Sequence, residues 1–212
     1  MTDTQLHFDV AVVGAGLVGS SAACALAAID PNLNIVLIDP AAAPPLLDTL
    51  KVENPGVSDF DPRVVALTRH SQVLLEDLGA WPLLADARRC AYTDMQVWDA
   101  DGTAKISFDC SEIQQDNLGH IVENRLIVSA LGQCLQAAPN VTTLFGEKVN
   151  DCIKTEQHSE LVLDGGSIIT ASLVLACDGA NSPLRQLHDI SSRQWDYGHS
   201  AIVTTIKTEQ PH

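Results

Sequence analysis

Gly14, Gly16 and Gly19 stand in the spacing GxGxxG within "VAVVGAGLVGSSAACALAAI", Val10 to Ile29. Three glycines in that spacing can bind phosphate without a charged side chain. The first permits a tight turn, the second lets a pyrophosphate approach the backbone, and the third lets a helix pack close to a strand. Free N–H groups and the positive dipole end of the following helix then face the anion. Asp39 lies 20 residues beyond Gly19, at the end of "IVLID". A carboxylate at that distance is placed to accept hydrogen bonds from the hydroxyls of an adenosine ribose. These four residues together predict a dinucleotide site.

The elements that must position them are legible around them. Twenty uncharged residues are also the length of a membrane span. The glycine spacing divides them instead into a buried strand, Val10 to Val13, a turn, and a helix of small residues. Ile35 to Asp39 is a second buried strand. Pro40 to Pro62 is proline-rich and reads as a long surface loop. "RVVALTRHSQVLLEDLGAW" has the apolar spacing of an amphipathic helix stopped at Gly79. "MQVWDADGTAKISFD" reads as a hairpin about an Asp-Gly turn, "GHIVEN" as a short strand, and "RLIVSALGQCLQAA" as a helix. Val141 to Ser172 reads as a β-meander. "LVLACDGANSPLR" reads as a buried strand, a glycine turn and a helix start, and "HSAIVTTIKTEQPH" as a strand running to the chain end. Trp98 and Trp195 read as packing residues. A βαβ start interrupted by antiparallel sheet implies an α/β, Rossmann-like domain with a β-meander insertion.

Composition narrows the partners. Lys and Arg number 12 against 27 Asp and Glu, a formal charge of −15. Such a chain repels polyanions, which argues against nucleic acid and against electrostatic attraction to anionic lipid. The six cysteines form no CxxC pair, and the histidines show no HxxxH spacing, so no metal site is expected. Buried, reduced thiols suit a cytoplasmic protein. The N-terminus lacks the basic region of a signal peptide.

Four stretches carry a family resemblance: "VVGAGLVGS" with Asp39, "FDPRVVALTRHSQVLLEDLGAW", "LGHIVEN" and "ACDGANSPLR". Together they resemble the class A FAD-dependent aromatic hydroxylases, and specifically those of ubiquinone biosynthesis, nearest a bacterial branch acting on ring carbon 5 of a 2-polyprenylphenol. The resemblance implies a glutathione-reductase-type FAD-binding domain over 1–90 and 119–190. Part of an antiparallel-sheet substrate domain would occupy 91–118 and 191–212. It implies FAD, with NAD(P)H or another electron donor and O2 as co-substrates, and a monooxygenase reaction on a polyprenylated phenol. Gly14, Gly16 and Gly19 match the diphosphate turn and Asp39 the ribose acid. Arg63 matches an arginine lying along the FAD. Asn124 and Arg125 open a helix that contacts the cofactor in relatives. Asp178 and Gly179 match an Asp-Gly motif near the diphosphate or ribityl chain. No catalytic side chain is named, because the flavin carries the chemistry. The family's later Gly-Asp motif has no counterpart, since no Gly-Asp dipeptide occurs. The chain therefore reads as the N-terminal portion of a longer enzyme, with weak or absent FAD binding and no turnover by itself. An insoluble tail on the substrate implies peripheral work at the inner face of the cytoplasmic membrane, with other quinone-biosynthesis proteins as partners. Two alternatives stay open: a flavin dehydrogenase or reductase of the same fold, and a non-catalytic assembly module of a quinone-synthesis complex.

Overall fold

Strand β1 (Leu6–Val13) is buried at each of its last four residues, Val10 to Val13. A strand covered on both faces needs neighbours on both edges, and this one has them. The computed structural model describes residues 6–50, 56–84 and 88–209. In it β1 pairs in parallel with β2 (Ile35–Asp39) on one side and with β11 (Ile168–Ala176) on the other. The first connection is α1 (Leu17–Ile29), a helix of 13 residues. At 1.5 Å per residue it is about 20 Å long, short of the roughly 30 Å bilayer core. No helix among the described residues is long and apolar enough to cross a membrane.

The chain divides into two compact units, residues up to Leu46 with Leu131–Ile202, and Leu47–Ala130 with residues from Val203 on. The first unit is built on a six-stranded sheet. Its further strands are β8 (Val141–Phe145), β9 (Val149–Lys154) and β10 (Ser159–Leu163), in the order β8-β2-β1-β11-β10-β9. Ala11, Val13, Val36, Ile38, Leu161 and Ile169 share one apolar cluster. Val12, Ile35 and Leu37 are equally inaccessible. Each such Val, Ile or Leu contributes about 1.5–3 kcal/mol by leaving water.

The meander is shorter than the sequence predicts. Only β9, β10 and β11 run antiparallel, whereas β8 joins the parallel edge beside β2 over five paired residues. The Ile35 N–H donates to the Asn140 carbonyl and the Asn140 Nδ2 to that of Leu33, at 3.0 and 3.1 Å, which seats β8 there. "SIITAS" and "LVLAC" belong to one strand, β11. Its first half serves the antiparallel edge, while most of its length, from Ile169 to Ala176, pairs with β1.

The second unit holds a three-stranded sheet, β3 (Val64–Thr68), β7 (Gly119–Glu123) and β4 (Arg89–Tyr92), in the order β3-β7-β4. The amphipathic helix expected from residue 63 starts later. Val64 and Val65 are β-branched and pair with Glu123 and Val122. Thr68 then caps α2 (Arg69–Asp77) by accepting from the Ser71 N–H at 3.3 Å, and the helix stops before Gly79, whose φ is +74°. The expected hairpin is present as β5 (Asp94–Trp98) and β6 (Lys105–Asp109). Helix α3 (Asn124–Gln136) follows β7, and α4 (Pro183–Leu187) follows β11. The structure departs from the sequence expectations at two further places. No strand forms from His199 through Glu209, because no described strand pairs with that stretch, and residues 210–212 lie outside the described set. Trp98 and Trp195 are not core residues, being 67% and 65% exposed, although Trp195 stands edge-on to Tyr197 at 6.2 Å.

Candidate functional site

The strand order turns about β1, with β2 on one side and β11 on the other. At such a switch point the loops leave in opposite directions and open a crevice at the carboxyl ends of the strands. A cleft of about 320 Å3 lies there. It is lined by Gly14 and Gly16 after β1, Asp39 and Pro40 after β2, Cys177, Asp178 and Gly179 after β11, and Lys148 at the mouth of β9.

The three turn glycines do different work. Gly14 has φ +101°, and a Cβ on it would overlap the Cys177 carbonyl. A Cβ on Gly19 would overlap the Gly14 carbonyl. These two let β1, β11 and α1 approach one another. At Gly16 a Cβ would meet no atom within 4 Å, and its φ is −69°. Gly16 is not needed by the fold, and it opens the N-terminus of α1 to the cleft. No side chain among the described residues caps that N-terminus. The first N–H groups of a helix lack intrahelical acceptors, so they are available to an anion.

Two carboxylates flank this turn. Asp39 accepts the Ala15 N–H on Oδ2 at 2.6 Å and the Ala41 N–H on Oδ1 at 2.8 Å. It ties the glycine turn to β2, and each oxygen keeps a lone pair for a hydroxyl donor. Asp178 accepts the Leu184 N–H on Oδ2 at 3.0 Å, which anchors α4. Its buried Oδ1 has no hydrogen-bond partner among the described residues. A buried acceptor without a donor is costly and marks a place where a ligand donor would fit. Burial, and then the Asp178 charge, push the Cys177 thiol above its ordinary pKa.

Of the predicted site residues, the structure brings Gly14, Gly16, Asp39, Asp178 and Gly179 onto one cleft, with Gly19 directly behind it. Arg63, Asn124 and Arg125 lie in the second unit. The exposed Arg63 guanidinium has no partner among the described residues, and the Arg63 carbonyl accepts the Asn124 N–H at 2.9 Å. Arg125 is engaged by Glu123 and by the Asp59 carbonyl. Lys148 was not legible as a site residue. Its only signal is its place just before β9, two residues after the Gly146 turn.

A crevice at the switch point of a mixed sheet, with a glycine turn and two strand-end acids, defines a dinucleotide-type fold. Solved structures similar to it include FAD-dependent monooxygenases. PqsL of Pseudomonas aeruginosa, a probable FAD-dependent monooxygenase, is 20% identical with a TM-score of 0.64, over 90% of this chain and 48% of that one. The flavin-dependent monooxygenase PieE, solved with FAD and substrate, gives 16% and 0.63, over 88% and 32%. The fold is that of these enzymes.

The sequence relatives are more specific, and they are ubiquinone-biosynthesis hydroxylases. The chain is 32% identical to 3-demethoxyubiquinol 3-hydroxylase of Escherichia coli K12, over 97% of its own length and 50% of that protein's. It is 34% identical to the human mitochondrial ubiquinone biosynthesis monooxygenase COQ6, over 96% and 44%. It is 31% identical to ubiquinone hydroxylase UbiL of Rhodospirillum rubrum, over 96% and 44%. The chain spans about half the length of the curated relatives it matches. Comparison with protein families finds no match.

The cleft fits the dinucleotide that such enzymes use. Gly16 leaves room for a diphosphate against the helix N-terminus, the free Asp178 Oδ1 seeks a donor, and Lys148 adds a cation at the rim.

Proposed function

We propose that the chain carries the FAD-binding part of a ubiquinone-biosynthesis monooxygenase. Supporting this most directly is the open, side-chain-free approach at Gly16 between two strand-end carboxylates. Gly14 and Gly19 shape the turn. The N–H groups at the start of α1 bind the diphosphate, with Lys148 beside them. Asp39 accepts the adenosine ribose hydroxyls, and the Asp178-Gly179 turn lies along the diphosphate or ribityl chain. Arg63, Asn124 and Arg125 are assigned to the cofactor on the family resemblance.

Bound FAD supplies the oxygen chemistry, drawing on NAD(P)H or another donor and on O2. What the protein's residues do is hold it in one place and keep water from it. The substrate is a polyprenylated phenolic precursor of a quinone. Its tail brings the enzyme to the cytoplasmic membrane surface and beside other quinone-biosynthesis proteins.

Because the residues of this cleft would touch the ADP half of FAD, both molecules should bind. Isothermal titration of the chain with FAD and with ADP tests this. The expected result is weak, saturable binding of each, with ADP displacing FAD. Absence of ADP binding at millimolar concentration overturns the reading.

A further inference from the structure

Three residues, Gly146 to Lys148, carry the chain from β8 to β9, although these strands stand at opposite ends of the six-strand order. Five strand spacings of about 4.8 Å come to roughly 24 Å, whereas four residue steps reach at most about 14 Å. The sheet must therefore curl, and it does: Val149, Leu161 and Leu163 share one apolar cluster with Val13, Val36 and Ile38. Curling lays the short strap across the carboxyl end of β2. The Gly146 N–H donates to the Ala41 carbonyl at 2.9 Å, and the Glu147 N–H to the Asp39 carbonyl at 3.2 Å. On the far side the Lys148 carbonyl accepts the Asp164 N–H at 2.9 Å, and the next residue, Val149, is buried and pairs with Leu163. The Lys148 backbone is thus held from both sides at the wall of the cleft.

Asp39 and Asp178 line that cleft, and Lys148 is the only cationic side chain among the described residues that do. Lys148 is exposed, and its ammonium makes no ion pair or hydrogen bond among the described residues, although two carboxylates share the cleft with it. The fold makes no use of this charge. A diphosphate, in contrast, brings further negative charge to a cleft that already holds two acids, in a chain of formal charge −15. The N-terminus of α1 answers with the equivalent of about half a positive charge. The full charge on Lys148 is larger, and as a compact, hydrated ammonium it acts on the charged part of a ligand and not on its sugar or base.

We propose that Lys148 is the specificity-determining residue of this cleft: it makes the site select ligands by phosphate charge, preferring a nucleoside diphosphate to the monophosphate and the monophosphate to the free nucleoside. This rests on the FAD reading above and deepens it. The glycine turn and Asp39 accept the shape of the nucleotide, and Lys148 sets how strongly its charge counts.

The test is a calorimetric series on the chain as it exists, with ADP, AMP and adenosine as probes, at about 50 and about 300 mM NaCl. Lys148→Met keeps the stem and removes the charge. In it ADP affinity should fall about three- to tenfold, AMP affinity by less, and adenosine affinity not at all. The loss of ADP affinity from low to high salt should shrink in the same variant, because less charge remains to be screened. Lys148→Arg keeps the charge and should keep the wild-type order of the three ligands. The thermal midpoint should stay in place in both variants, because Lys148 is exposed. Unchanged ADP affinity in Lys148→Met overturns the proposal. So does an adenosine affinity that falls as far as that for ADP, because the lysine would then act on the shape of the ligand. A wild-type chain that binds none of the three defeats the FAD reading and this proposal together, whereas ADP binding that Lys148→Met does not weaken defeats the proposal alone.

Discussion

Replacing Gly16 should separate ligand binding from folding. Nothing lies within 4 Å of a Cβ at this position, and the backbone there is extended at φ −69°, ψ −173°. Gly16 is also the N-cap of α1, with no side-chain cap of its own. Asn or Asp at an N-cap is favoured over Gly by a few tenths of a kcal/mol. Asp gains about 0.3–1 kcal/mol more from the helix dipole, opposed here by the Asp39 carboxylate beside the same turn. Gly16→Asn and Gly16→Asp should therefore unfold at or slightly above the wild-type midpoint. Either side chain stands where the diphosphate would meet the helix. Losing one charged hydrogen bond costs roughly 1.5–3 kcal/mol, and every 1.4 kcal/mol is tenfold in affinity. ADP affinity should fall by about 10- to 100-fold in Gly16→Asn, and further in Gly16→Asp, which adds like charge. Gly14→Ala should do the reverse. A Cβ at φ +101° against the Cys177 carbonyl costs about 3 kcal/mol or more in strain and displacement. Thermal unfolding with calorimetric ADP titration reads both effects. ADP binding by Gly16→Asp at wild-type affinity would refute the argument, as would Gly14→Ala folding as stably as the wild type.

Gly19→Ala should lose at least as much stability as Gly14→Ala, because its Cβ would overlap the Gly14 carbonyl; urea midpoints check this. Cys24 should resist alkylation, since burial, and then Cys134, push its thiol up to about 12. At pH 8 its thiolate is a trace species, and mass spectrometry after iodoacetamide should find the exposed Cys90 modified first. His120 carries a depressed pKa, chiefly from desolvation and then from Arg89 and Arg69, against a smaller opposing effect of Glu76. The unfolded ring binds its proton near 6.5 and the folded ring only below that, so stability should fall as pH drops through this window. His120→Gln should flatten that part of the urea-midpoint profile, and a slope as steep as the wild type's would contradict the assignment.

The cleft was more legible than the frame around it. GxGxxG with an acid at fixed distance is legible as spacing, and within it Gly19 answers to the Gly14 carbonyl five residues earlier. Gly14, Gly16, Gly19 and Asp39 therefore followed from spacing, and Asp178-Gly179 from the family resemblance. The start of α2 was misread because Val64 and Leu67 fit a helical stripe as well as a strand. Pairing with β7, more than fifty residues away, decides for the strand. Val141 to Phe145 looks the same beside β2 or at the head of a meander, and the seating of Asn140 is a tertiary fact. "HSAIVTTIK" has strand composition, but a strand needs a partner, and none is paired with it among the described residues. Glu123 was visible within "LGHIVEN", yet its two arginines, Arg88 and Arg125, lie 35 residues before it and two after. Folding is what brings Arg88 to it, at 2.6 Å.

FAD binding at the carboxyl end of β1, as proposed, is reported most directly by the amide resonances of the glycines. Adding FAD to the 15N-labelled chain should shift Gly14, Gly16 and Gly179, which line the cleft, and leave Gly166, at the β10–β11 turn, in place. No shift at Gly16, or shifts centred away from these three glycines, would contradict the account.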